Sequence, residues 1–265
     1  MSLAAALRGA RARGRAAFVP FITAGDPDWA ATARFLKTLA RAGADLIELG
    51  VPFSDPVADG PTIQAASHRA LRSGITLAKT LSGLKTLRRA GFSTPVILFT
   101  YLNPALRMGI KTFSRNCAAG GVDGVLIVDL PVEEANGILS NFVRDGVEPV
   151  LLASPSTSAR RLKAIGQASG SLVYYVSREG VTGARKDLAP GLARRLKEVR
   201  ALCGKPLIAG FGVSTPAQAR AIAAGAEGVV VGSALVEAIA RSSSPRAAEK
   251  NLYRLSRRLA AAMEV

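Results

Sequence analysis

The feature that most constrains this chain is a repeated alternation of short apolar runs with longer amphipathic stretches. The apolar runs read as strands at Phe18–Thr23, Asp45–Leu49, Val96–Tyr101, Gly124–Val128, Pro149–Leu152, Leu172–Val176, Leu207–Ala209 and Gly228–Val231. Helical periodicity covers 28–41, 61–73 with 77–90, 110–119, 133–145, 158–168, 190–202, 216–223 and 235–241. Strands alternating with helices imply βαβ units and a parallel sheet. The runs "VLIV" and "VVV" are apolar at consecutive positions, as strands covered on both faces require. Eight units in 265 residues leave about 33 residues for each, the size of one βα repeat. The expected fold is therefore α/β: a closed (β/α)8 TIM barrel forming a single domain over residues 1–265. An extra N-terminal helix is expected at Leu3–Arg13 and an extra C-terminal helix at Ala247–Met263. Leu252, Leu255, Leu259 and Met263 share one face of the latter, which predicts docking on the body.

An internal repeat fits this frame. "AGADLIELG" at Ala42–Gly50, "GGVDGVLIVD" at Gly120–Asp129 and "AGAEGVVVG" at Ala224–Gly232 share one order: glycine, small residue, acid, apolar strand. Glycine supplies the left-handed cap that turns a helix back into a strand.

Composition removes several chemistries. The single histidine, His68, excludes a multi-histidine metal site, and no metal is expected. Cys117 and Cys203 are far apart and form no C-x-x-C pair, as suits a reducing, cytoplasmic setting. No run of 18 apolar residues predicts a membrane span. Lys and Arg total 35 against 19 Asp and Glu, a net charge of +16. The basic residues come in ones and twos at helical spacing, as in Arg88-Arg89 and Arg160-Arg161, and read as solvated outer faces. No nucleic-acid motif accompanies the charge, so neither nucleic acid nor membrane is an expected partner.

Acid–base work then falls to carboxylates, tyrosines or lysines. Active sites of this fold lie at the carboxyl ends of the strands. Glu48 stands there in "DLIELG" and points into the barrel if it shares a side with Leu46. It is then either a carboxyl whose pKa burial raises, or half of a structural ion pair. The loop "GVPFSDPVADGPT", Gly50 to Thr62, is long for a βα connection and carries Asp55 and Asp59. Spacing alone leaves both as site residues or turn formers. Asp129 either touches the site or braces a loop. Asp26 reads as the N-cap of the next helix, and His68 as a surface or packing residue. Gly183, Gly212, Gly232 and Ser233 follow strands six to eight, where this fold recurrently binds phosphate.

The segments "FVPFITAGDPD", "IELGVPFSDPVADGPTIQ", "YLNP", "VDGVLIVDLPVEE", "YYVSREGVTGAR", "IAGFGVST" and "GVVVGSALV" resemble the tryptophan synthase α-chain family, in that order, over Phe18 to Val236. The resemblance implies a lyase of tryptophan biosynthesis. Such a lyase splits indole-3-glycerol phosphate into indole and glyceraldehyde 3-phosphate by a retro-aldol step. It implies Glu48 as general acid/base and Asp59 as acceptor of the indole N–H. Phe21, Leu126, Tyr174, Thr182 and Phe211 would surround the indole, and Gly183, Gly212, Gly232 and Ser233 would hold the phosphate. A lid at Arg178–Asp187 would close over substrate, with Thr182 coupling it to Asp59. It also implies no cofactor in this chain, and a β subunit carrying pyridoxal phosphate in an α2β2 tetramer. Partner contacts would include the Gly50–Gly60 loop and Asp55. A stand-alone lyase releasing free indole is the alternative. Ser154, Phe99 and Val128, with the high charge, depart from the family's usual pattern.

Overall fold

The computed structural model describes residues 2–176, 191–210 and 212–264. Its strands are β1 (Ala17–Thr23), β2 (Ile47–Gly50), β3 (Val96–Thr100), β4 (Gly124–Ile127), β5 (Glu148–Pro149), β6 (Leu152–Ala153), β7 (Val173–Val176), β8 (Leu207–Gly210) and β9 (Gly228–Val231). All pair in parallel, in the order β5-β4-β3-β2-β1-β9-β8-β7-β6. The two ends of that order, β5 and β6, belong to one stretch of chain. Between them the Val150 N–H donates to Val125 O at 2.8 Å, and the Tyr174 N–H donates to Leu151 O at 3.0 Å. The sheet thus closes into the expected barrel. The fifth strand, expected as Pro149–Leu152, is split into β5, which pairs with β4, and β6, which pairs with β7.

Side-chain alternation separates two cores. Val19, Phe21, Leu46, Ile97, Phe99 and Leu126 point inward, with Tyr174, Ile208 and Val230 from the far wall. Phe18, Ile22, Ile47, Leu49, Leu98 and Val229 point outward beneath the helices. The helix α1 (Leu3–Ala12) buries Leu3, Ala6, Leu7 and Ala10 in the inner cluster. It plugs the amino-terminal mouth so closely that a Cβ on Gly124 would lie 2.7 Å from Leu3 Cδ1. That leaves only the carboxyl end of the barrel for a site.

The outer ring is α2 (Trp29–Arg41), α3 (Pro61–Arg72), α4 (Leu77–Arg89), α5 (Leu102–Met108), α6 (Ile110–Gly120), α7 (Asn136–Arg144), α8 (Ala159–Ala168), α9 (Leu192–Cys203), α10 (Pro216–Ala223), α11 (Ser233–Ala240) and α12 (Pro245–Ala261). As expected, α12 docks through Leu252, Leu259 and Met263, with Leu255 partly buried. No described helix is long and apolar enough to cross a membrane. The short α5 escapes the periodic reading, because Pro104 marks the segment as a loop yet is tolerated in a first helical turn. Glu133 and Glu134 lie in a turn before α7 rather than inside it. Asp26 is not the cap of α2. Asp28 caps it, accepting from the Ala31 N–H at 2.7 Å, while buried Asp26 takes two hydrogen bonds from Arg69, at 2.8 and 2.7 Å.

The acid of the repeated motif has a structural task. Asp45, Asp123 and Glu227 each accept, at 2.8 Å, the N–H that opens the neighbouring strand: Phe18, Val96 and Leu207 in turn. Each also holds arginine: Asp45 takes Arg13 and Arg15, Asp123 takes Arg88, and Glu227 takes Arg200. Arg88 is therefore not on a solvated face. It also donates to Gly121 O, Phe92 O and Thr94 O, stitching α4 to two loops. Of these carboxylates Asp45 is the most enclosed, its side chain 4% exposed. Asp45→Ala should strand the Phe18 N–H and the Arg15 guanidinium, lowering stability by roughly 3 kcal/mol in urea unfolding. A loss under about 0.5 kcal/mol would show that the staple contributes little.

Candidate active site

Strand β2 aligns Glu48 with Phe21 on one side and Ile97 on the other. Ile47 and Leu49 belong to the outer core and Leu46 to the inner one, so Glu48 faces the barrel interior. It is 1% exposed. Among the described residues it has no ion pair; Tyr174 is its hydrogen-bond partner and Oε1 has none. The structural ion-pair reading of Glu48 therefore finds no partner among them. Burial, then the proximity of Asp59, push its pKa up to about 8, against a downward pull from Tyr174.

Gly50 ends β2 where space is tight: a Cβ there would lie 2.5 Å from Phe21 Cζ. The chain then leaves the barrel wall and returns at Asp59. The Asp59 N–H donates to Pro56 O at 3.0 Å, and Gln64 Nε2 donates to Asp59 O at 2.8 Å. The Tyr101 hydroxyl donates to Asp59 Oδ2 at 3.0 Å and accepts the Ala58 N–H at 3.1 Å. Asp59 does not cap α3: Gly60 is the N-cap and makes no side-chain capping bond. Burial raises the Asp59 pKa to about 6, opposed by the Tyr101 hydrogen bond.

Glu48, Asp59 and Tyr174 line one pocket. Phe21, Ile63, Phe99 and Val230 form its apolar wall. Phe21 and Phe99 meet edge to face at 5.7 Å. Gly212, Gly232 and Ser233 line the other end, where α11 begins. Gly212 adopts φ +72°, a left-handed conformation that suits glycine. The start of α11 offers unpaired N–H groups and a positive dipole end, the usual setting for an anion.

Of the residues expected at the site, Phe21, Glu48, Asp59, Tyr174, Gly212, Gly232 and Ser233 are thus brought together. Leu126 packs in the inner cluster, beside Phe99 in register, and does not line the pocket. Thr182, Gly183 and Phe211 lie outside the described residues, as does the expected lid at Arg178–Asp187. Asp55 is exposed and takes the Ser54 hydroxyl; His68 is exposed on α3. Asp129 braces a loop, accepting the Leu102 N–H at 2.7 Å. Ser154 bonds Ser156 and Thr157 beside a separate cleft, while Phe99 does shape the pocket. Sequence reasoning missed Tyr101 and Ile63. Tyr101 had a signal: it follows Ile97 and Phe99 at intervals of two, in phase with the barrel interior.

Two buried carboxyls at the mouth of a (β/α)8 barrel, facing an anion-ready helix start, make this a barrel enzyme. The tryptophan synthase α-chain family model matches residues 7–264, and the chain belongs to that family. It is 48% identical over 249 residues to a tryptophan synthase α chain of Xanthomonas campestris, covering 94% of this chain and 92% of the relative. It is 50% identical over 241 residues to that of Xanthomonas axonopodis, covering 91% and 90%. Among solved structures, a chain of Mycobacterium tuberculosis tryptophan synthase superposes with a TM-score of 0.88 at 38% identity, covering 100% and 99%. A chain of the Pyrococcus furiosus tryptophan synthase α2β2 complex gives 0.85 at 40%, covering 92% and 98%. Members of the family are lyases that cleave indole-3-glycerol phosphate. They bind no cofactor themselves; pyridoxal phosphate belongs to the β subunit.

The unpaired Glu48 has a thermodynamic signature. Its folded pKa, about 8, lies above the ordinary 4.5, so between these values the native state binds more protons than the unfolded one. Stability from this group is full below pH 4.5 and is lost as pH rises towards 8. Glu48→Gln removes that loss, so it should stabilise the fold near pH 7.5 by about 4 kcal/mol and do little at pH 4. Equal effects at both pH values in urea titrations would contradict a raised pKa.

Proposed function

We propose that Glu48 and Asp59 carry the lyase reaction of this family in this chain. Glu48 is the general acid/base. In its protonated form it delivers a proton to C3 of the indole ring, which turns the ring into an electrophilic indoleninium. Removal of the proton from the adjacent side-chain hydroxyl then forms the aldehyde carbonyl. The electrons of the breaking C–C bond return to the ring and regenerate neutral indole. One carboxyl can serve both transfers because its pKa, about 8, lies close to working pH. Asp59 accepts the ring N–H and stabilises the positive charge that develops there. The observation that carries this reading is Glu48 itself: a carboxyl 1% exposed, without a counter-charge among the described residues, lining the same pocket as a second carboxyl.

The remaining assignments follow from placement. Phe21 and Phe99 form the apolar wall against which the indole packs, and Tyr174 holds Glu48. Gly212, Gly232, Ser233 and the start of α11 take the phosphate, with Gly183, Thr182 and Phe211 completing the site by resemblance. The chain works with a β subunit in an α2β2 assembly, which consumes the indole. We also read residues 1–265 as one domain, consistent with a family match spanning 7–264. Two buried free cysteines, Cys117 and Cys203, support a reducing, cytoplasmic setting.

Glu48→Gln should lower kcat for indole release at least ~10³-fold with the fold intact, since general acid–base catalysis contributes on the order of 10²–10⁴. Retained turnover would remove Glu48 from its role. The pH–rate profile should be bell-shaped. Its acid limb near 6 reports the Asp59 carboxylate and its alkaline limb near 8 reports protonated Glu48. Adding a β subunit should accelerate indole release; equally fast release without it would favour a stand-alone lyase.

A further inference from the structure

We propose that Tyr101 is a positioning residue for Asp59: its hydroxyl latches the Val51–Gly60 loop to the barrel wall and aims the Asp59 carboxylate into the pocket. The inference rests on the role of Asp59 given above. One hydroxyl grips two consecutive loop residues. It donates to Asp59 Oδ2 at 3.0 Å and accepts the Ala58 N–H at 3.1 Å, using both its donor and its acceptor capacity. Occupying Oδ2 leaves Oδ1 for a substrate N–H.

Tyr101 is itself held firmly. It is 1% exposed, and its ring packs 5.0 Å from Phe53 of the loop and edge-on at 6.3 Å from Phe99 of the pocket wall. Its backbone is pinned from both sides. The Val128 N–H donates to Thr100 O at 2.9 Å, and Asp129 Oδ1 accepts the Leu102 N–H at 2.7 Å. Three strand ends therefore converge on one phenol. The tip of the loop is more loosely tied: Val57 is 77% exposed, and among the described residues Asp55 bonds only to Ser54 and Val57. Among the described residues, Tyr101 is the only barrel-wall side chain that hydrogen-bonds this loop.

The latch also bears on charge. An acceptor for the indole N–H works best as a carboxylate, yet burial opposes ionisation of Asp59. Facing it are Glu48 from β2, Tyr174 from β7 and Tyr101 after β3, with Asp129 acting on Tyr101 from the loop after β4. None of these is a cation, and no described cation pairs with Asp59. Among the described residues, the Tyr101 hydroxyl favours the charged form.

The test is Tyr101→Phe in the full chain with its β subunit. It keeps the ring and its packing and removes only the hydroxyl. We expect kcat/KM to fall at least tenfold, and the acid limb of the pH–rate profile to move up by about one unit while the alkaline limb stays. Titration of ¹³C-labelled Asp59 should show the same upward move without relying on turnover. An unmoved acid limb and unmoved titration overturn the proposal, whatever happens to the rate. Asp59→Asn separates this from the underlying reading. If that variant keeps the acid limb, the role of Asp59 falls. If it loses the limb while Tyr101→Phe leaves it in place, only the latch falls.

Discussion

Inside an apolar barrel, a glutamate with one unpartnered oxygen stands beside a second carboxyl and no described cation. Such a group is costly to ionise, and the surrounding architecture keeps it un-ionised yet reachable. The plug formed by α1 closes the far mouth. The inner layers of Leu46, Ile97, Leu126 and Ile208 exclude water from below. An aromatic wall of Phe21 and Phe99 narrows the open end to a pocket. Desolvation, rather than a neighbouring charge, is the largest influence on both carboxyls. Burial and the charge of Asp59 set Glu48 above Asp59, while a tyrosine hydroxyl pulls each carboxyl down, Tyr174 on Glu48 and Tyr101 on Asp59. Environments that separate the pKa values of two like groups assign one as acid and the other as anion.

Stability and chemistry use opposite electrostatic rules at opposite ends of the same strands. At the amino-terminal end Asp45, Asp123 and Glu227 each meet a backbone N–H and an arginine. At the carboxyl end, Glu48 and Asp59 meet no arginine among the described residues. Part of the large positive charge of the chain is thereby given a purpose, since Arg13, Arg15, Arg88 and Arg200 hold the scaffold rather than a polyanionic ligand.

Much of this was legible in the sequence, because it depends on local periodicity. The alternation of apolar runs and helices specifies the barrel, and the phase of Leu46 and Glu48 specifies which way the carboxyl points. The glycines after the last two strands mark the anion end. What could not be read depends on contacts between distant segments. Tyr101 reaches Asp59 across 42 residues and Arg69 reaches Asp26 across 43, and neither spacing leaves a local trace. Asp26 looked like a cap because a cap needs only its own next turn. Arg88 looked solvent-facing because helical spacing says nothing of the loops that close over it. The short α5 turns on Pro104, whose missing N–H is tolerated in a first helical turn.

Everything in the site depends on Glu48 being held protonated near neutral pH by its surroundings. The most direct measurement is a ¹³C NMR titration of the Glu48 carboxyl in the folded chain, assigned by comparison with Glu48→Gln. The structure predicts a midpoint near 8, well apart from the surface glutamates. A midpoint in the ordinary carboxylate range, near 4.5, would mean that Glu48 is ionised at working pH and cannot be the proton donor.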